Sequence, residues 1–181
     1  MRPEDRRLFK IVSVLLRFPD QDLMDSLPSV RAALEDGSSG APGKRCRVFI
    51  DYFETHSLVQ LQEEFSRFFD FSPETCLNMT YHLYGEGRER GSALAGLIEL
   101  YRNSGYEILG SELPDYLPLL LEFLSVCDED AGLKIIGEWA DQVKKLAHRL
   151  KESGSPYMVL LETLWEVFTE SEHLERQVGH G

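Results

Sequence analysis

The sequence predicts an all-α protein, a single globular helical domain of seven to eight helices. Three observations carry this. Apolar residues recur at i, i+3, i+4 and i+7 along most of the chain, the spacing of one helix face. No pair of alternating strands joined by a hairpin turn occurs, and no strand–helix–strand alternation. The 181 residues suit one hydrophobic core rather than two, and no internal repeat marks a solenoid.

The elements follow in order. Pro3 with Glu4 and Asp5 starts a first helix, whose face is Leu8, Ile11, Val12, Leu15 and Leu16. Asp20 can cap a second helix carrying Leu23, Met24, Leu27, Val30 and Leu34, with a kink or restart at Pro28. Residues 36–43, rich in Gly, Ser and Pro, read as a flexible loop. A third helix aligns Cys46, Phe49, Ile50 and Phe53. Ser57 and Gln60 form a capping box ahead of a helix with Leu58, Leu61, Phe65, Phe68 and Phe69. Residues 70–87 read as an irregular connection.

A helix from about Arg88 aligns Leu94, Leu97, Ile98 and Tyr101 and stops at Asn103-Ser104-Gly105. A loop over 105–114 leads to a helix with Leu117, Leu120, Leu121, Leu124 and Cys127, which Asp115 can cap. Asp128 to Asp130 can cap the next, which carries Leu133, Ile136, Val143, Leu146 and Leu150. Ser155-Pro156 opens the last helix, with Leu160, Leu161, Leu164, Val167 and Phe168. The domain is thus expected to span 1–170, with 171–181 a polar, frayed tail.

Composition narrows function. The net charge is −12, which disfavours binding a phosphate backbone or an anionic membrane and leaves a basic partner open. Arg6-Arg7 resembles an export signal, but the apolar stretch that follows, Ile11 to Leu16, is only six residues long and stops at Arg17, so it reads as helix. No apolar run approaches a membrane span. The expected location is cytoplasmic. Cys46, Cys76 and Cys127 are far apart, odd in number and without zinc-ligand spacing, so they read as ordinary thiols. No phosphate loop, dinucleotide fingerprint, nucleophile elbow or zinc-protease motif is present. Neither a metal nor a cofactor is expected, and the chain does not read as an enzyme.

Two distributions stand out. Nine of the 19 aromatic residues fall between Phe49 and Tyr84. They are core rings, or they line a groove for an apolar helix, and both can hold for different rings. Between Asn103 and Leu133 there are seven acids and no Lys or Arg. Within that stretch, Glu112-Leu113-Pro114-Asp115-Tyr116-Leu117-Pro118 fixes two acids and a ring between prolines, a rigid corner suited to Arg or Lys.

Glu112 to Pro118 resembles the E-x-P-D-H motif of the redox-enzyme maturation chaperones, the TorD/DmsD/NarJ family. Phe65-Ser66-Arg67-Phe68-Phe69 resembles the family's Y-x-x-L-F motif. His82 to Arg90 and Val14 to Asp20 are most similar to the nitrate-reductase assembly branch, NarJ, or delta subunit. Together these motifs cover roughly residues 8–127. The resemblance implies an all-helical cytoplasmic chaperone without catalytic activity. Such a protein binds the N-terminal, leader-like segment of a molybdopterin oxidoreductase catalytic subunit and assists cofactor insertion and assembly. Tyr116 stands where the family has His, and the chain lacks the long C-terminal extension of many relatives.

The expected client is an amphipathic helix with basic residues. Its apolar face is expected to meet Phe65, Phe68, Phe69 and Tyr84. Its basic residues are expected to meet an edge of Glu112, Asp115 and Tyr116 fixed by Pro114. Arg88 and Arg90 are expected to pair with local acids. The alternatives are a generic helix-binding adaptor, and a small helical hydrolase or metal enzyme using Glu112, Asp115 and His82.

Overall fold

The computed structural model describes residues 1–35 and 40–178, with side chains described as far as Ser171. The fold is all-α. Nine α-helices occur among the described residues: α1 (Pro3–Leu15), α2 (Gln21–Glu35), α3 (Ala41–Thr55), α4 (Leu58–Phe65), α5 (Met79–Tyr84), α6 (Arg88–Asn103), α7 (Leu117–Val126), α8 (Glu129–Glu152) and α9 (Met158–Val178).

Most boundaries lie where the sequence places them, for the reasons it suggests. The Asp20 carboxylate accepts from Leu23 N at 2.7 Å. Ser57 and Gln60 close their capping box, and Asp128 accepts from Ala131 N at 2.8 Å. Each satisfies donors that a helix start leaves without partners. α8 carries Glu129 and Asp130 in its first turn and Arg149 and Lys151 in its last, matching the helix dipole at both ends. Pro28 sits inside α2, which runs on through it.

Four features differ from the sequence reading. Of the 36–43 loop, residues 36–39 lie outside the described residues, while Ala41, Pro42 and Gly43 already belong to α3. α9 carries helical backbone past Ser171 to Val178. Residues 66–70 form a π-helical turn after α4, in which Phe71 N donates to Ser66 O at 3.0 Å. α5 lies inside the segment read as irregular; six residues are too few to display helical periodicity.

The core forms where α9 meets α8, α3 and α1, and where α1 meets α7. Trp139, Tyr157, Phe9, Phe49, Phe53 and Phe168 are its largest buried side chains. Tyr157 is its aromatic hub. Its ring centroid lies 5.0 Å from Phe49 and 4.8 Å from Phe69, and the rings of Phe53 and Phe65 also pack against it. Tilted and edge-on ring pairs of this kind add to the area they bury.

The Tyr157 hydroxyl is buried and finds no hydrogen-bond partner among the described residues. An unsatisfied buried donor costs about 1–3 kcal/mol. Tyr157→Phe is therefore expected to leave stability unchanged or raise it by about 1 kcal/mol in urea unfolding. Tyr157→Ala should lower it by about 3–5 kcal/mol. A clear loss in the Phe variant would show that the hydroxyl has a partner.

Candidate functional site

The acidic corner is built around Asp115, which is 0% exposed. Its Oδ2 accepts from Thr80 N at 3.0 Å and from the Thr80 hydroxyl. Its Oδ1 accepts from Asn78 Nδ2 at 3.1 Å. Arg90 donates through Nε to Thr80 Oγ1 at 3.1 Å and places an Nη 4.0 Å from Asp115. The backbone follows the side chain. Met79 N donates to Asp115 O at 3.0 Å and Leu117 N to Leu77 O at 2.8 Å, forming a short antiparallel bridge between Asn78 and Tyr116. The Tyr101 hydroxyl donates to Pro114 O at 2.7 Å.

Asp115 thus caps the start of α5 from across the fold. This corrects two expectations. It does not cap α7, whose N-cap Tyr116 makes no side-chain cap bond. Nor does it present a carboxylate to a partner, because its oxygens are already taken by internal donors. Asn78, Thr80, Tyr101 and Arg90 complete the arrangement. The sequence gives no signal for Asn78 and Thr80, which lie in an aperiodic stretch.

The other residues expected at the site fall into two groups. Phe65, Phe68 and Phe69 are 4–5% exposed, held inward by α4 and the π turn, and Pro114 is buried. In this conformation these four support the surface instead of forming it. Glu112 is exposed and Tyr116 is half-buried. Burial, with Glu112 and Asp70 nearby, pushes the Tyr116 hydroxyl up to about 12, against a smaller opposing effect of Arg17. Tyr84 is 36% exposed but lies elsewhere, lining a shallow groove with Ala93, Gly96 and Leu100 of α6 and Lys134 of α8.

Tyr116 marks a junction of three segments. Phe18 follows α1, is 45% exposed, and stands edge-on to Phe65 at 5.5 Å. Pro19 O accepts from Gln62 Nε2 at 2.8 Å. Phe71, 82% exposed, follows Asp70 at the end of the π turn, and Leu113 is 43% exposed. Glu112, Asp70 and Arg17 all act electrostatically on Tyr116, and the exposed Leu113, Phe71 and Phe18 are their neighbours along the chain.

The residues of the metal-enzyme alternative do not assemble. His82 Nε2 donates to Cys76 O at 2.8 Å, and its Nδ1 accepts from Arg149 at 3.4 Å. Arg149 also donates to Glu74 O at 2.8 Å. Both ring nitrogens are engaged, and burial holds the imidazole below its usual range. No group of three or more His, Cys, Asp or Glu placed to hold a metal ion occurs among the described residues. Burial pushes the Cys46 thiol up to about 12 and Cys127 up to about 11.

The acids of residues 103–133 are partly neutralised by the first ten residues of the chain. Lys10 pairs with Glu122, and the Met1 amine pairs with Glu129. Asp128 is a helix cap. Arg90 faces Asp115 as expected, whereas Arg88 has no partner among the described residues.

The sequence profile described as nitrate reductase delta subunit matches residues 36–162, more than half of the chain. The chain belongs to the nitrate reductase delta subunit family. Among relatives in this family is the probable nitrate reductase molybdenum cofactor assembly chaperone NarJ of Bacillus subtilis. It is 33% identical over 165 residues, covering 91% of this chain and 90% of the relative. The nitrate reductase molybdenum cofactor assembly chaperone NarJ of Escherichia coli K12 is 31% identical over 157 residues, covering 85% of this chain and 66% of its own length. The delta-subunit chain also shares its fold with a putative redox enzyme maturation protein from Archaeoglobus fulgidus. The TM-score is 0.65 at 21% identity, over 89% of this chain and 91% of that one.

His82 makes stability pH-dependent with a definite sign. Its folded pKa is lowered, so the unfolded chain takes up this proton more readily. The contribution is fully present above the unfolded value of about 6.5 and is lost as pH falls from there through the folded value. His82→Gln is expected to show a smaller loss of stability between pH 7 and pH 5 in urea unfolding. An unaltered pH dependence would remove His82 from the account.

Proposed function

We propose that this delta-subunit family member is a system-specific cytoplasmic chaperone without catalytic activity. It binds the N-terminal segment of the catalytic subunit of a nitrate-reductase-like molybdopterin oxidoreductase and holds that subunit while its cofactor is inserted. Family membership supports the chaperone role. No helix among the described residues is long and apolar enough to cross a membrane.

The observation that carries the binding mode is that Glu112 and Asp70 both act on half-buried Tyr116, opposed by a smaller effect of Arg17, while their chain neighbours Leu113, Phe71 and Phe18 are exposed. Apolar surface next to fixed acids fits an amphipathic helix with basic residues, laid ring-face down. Burying about 200 Å² of apolar surface contributes on the order of 5 kcal/mol before ordering costs. Glu112 and Tyr116 act as the polar edge, meeting the basic residues. Asp115 and Pro114 act indirectly by setting where that edge stands, and Phe65 acts through the Phe18 ring it supports.

Two measurements test this. Pull-down from native extract should recover a molybdopterin oxidoreductase subunit. Calorimetry with the N-terminal peptide of that subunit should then show Phe71→Asp weakening binding about tenfold or more. Glu112→Gln should weaken it about three- to tenfold at low salt, with the difference shrinking near about 0.5 M salt. Both side chains are exposed, so neither change threatens the fold. Unchanged affinity in both variants would move the client off this corner.

A further inference from the structure

A second surface lies between α1, α7 and the 105–110 loop. It is an open groove of about 700 Å³, floored by Tyr101, Leu119 and Phe123 and walled by Tyr106, Ile108 and Leu109. Leu109 is 90% exposed and Val126, at the groove's mouth, 51%. Exposed apolar residues gathered around one depression mark an interaction site, whereas scattered ones need no explanation.

The two lips of this groove differ in charge. Arg6, Arg7 and Lys10 line the α1 side, and Glu107 and Glu122 the other. Lys10 is paired with Glu122, and Arg6 donates to Cys127 O at 2.6 Å. Arg7 is exposed and has no partner among the described residues. In a chain of net charge −12, the α1 lip is a local reversal, with Arg6 and Arg7 free of any carboxylate partner among the described residues. The spacing 6, 7 and 10 spreads the cations over about one helical turn along the groove.

We propose that this groove docks an amphipathic helix of a partner protein, with an apolar stripe against Phe123, Leu109 and Val126 and Asp or Glu on the flank facing α1. Leu109 and Val126 are open to solvent at this groove, as a helix laid in a groove requires. The flank facing α1 is acidic because Arg7 lacks a counter-charge and Arg6 is bonded only to a neutral carbonyl, while Lys10 is already paired with Glu122. This inference does not rest on the client reading given above. The same lip repels a basic leader helix, so the two surfaces select different helices by charge.

The test uses the full chain and two synthetic amphipathic peptides of about 14 residues, roughly four turns. They share one leucine stripe and differ only in Glu or Lys flanks. In fluorescence anisotropy at low salt the Glu peptide should bind about tenfold or more tighter. Leu109→Asp should abolish its binding, and Arg7→Glu with Lys10→Glu should reverse the preference. Phe71→Asp should leave it unchanged, which separates this site from the corner. Equal or tighter binding of the Lys peptide, or no effect of Leu109→Asp, would overturn the proposal. So would saturable binding of dodecanoate without either peptide, which would assign a small amphiphile. Self-association abolished by Leu109→Asp would assign the groove to a second copy of this chain.

Discussion

A carboxylate as buried as that of Asp115 is tolerated only when donors surround it, because burial removes the water that would otherwise solvate it. Here the donors come from a segment more than thirty residues earlier: Thr80 through its amide and hydroxyl, and Asn78 through its amide group. Satisfying Asp115 therefore fixes the start of α5 against the start of α7. The bridge at Asn78 and Tyr116 and the Tyr101 bond to Pro114 O then follow with little freedom left. Pro114 and Pro118 restrict the backbone on either side. The position of Glu112, Leu113 and Tyr116 on the surface is a consequence of this internal bond set.

This changes what the acidic motif means physically. Its charge is divided by role. Asp115 faces inward and organises, while Glu112 faces outward. Two of the other acids of residues 103–133, Glu122 and Glu129, are paired by Lys10 of α1 and by the Met1 amine just ahead of it. A count of charges along the chain overstates what a partner meets, because residues from one end of the sequence neutralise acids far along it. The remaining surface is differentiated, with Glu112 and Asp70 near Tyr116 and Arg6 and Arg7 on the α1 side of an apolar groove.

The fold was legible because helical periodicity and capping are local. Asp20, Ser57 with Gln60, and Asp128 each announce a helix start within three residues. α5 is not legible in the sequence because its cap is Asp115, a tertiary partner that no local pattern reveals, and because six residues are too few to carry a period. The roles of the residues expected at the site are only partly legible in the sequence. Phe65, Phe68 and Phe69 share one helix face in the sequence, and that face could as well meet the core as a ligand. Tyr157, which packs against Phe65 and Phe69 from the far end of the chain, decides for the core. The exposed rings, Phe18 and Phe71, stand just outside helical elements, where periodicity assigns no face.

The central claim is that Asp115 is a structural fastener whose energy lies in its bonds to Thr80. A double-mutant cycle of Asp115→Ala and Thr80→Val, followed by urea unfolding, measures that directly. The account predicts a coupling energy of about 1–3 kcal/mol, as expected for groups sharing one buried hydrogen-bond network. Simple additivity, together with unchanged stability in Asp115→Ala alone, would contradict it and return Asp115 to the binding surface.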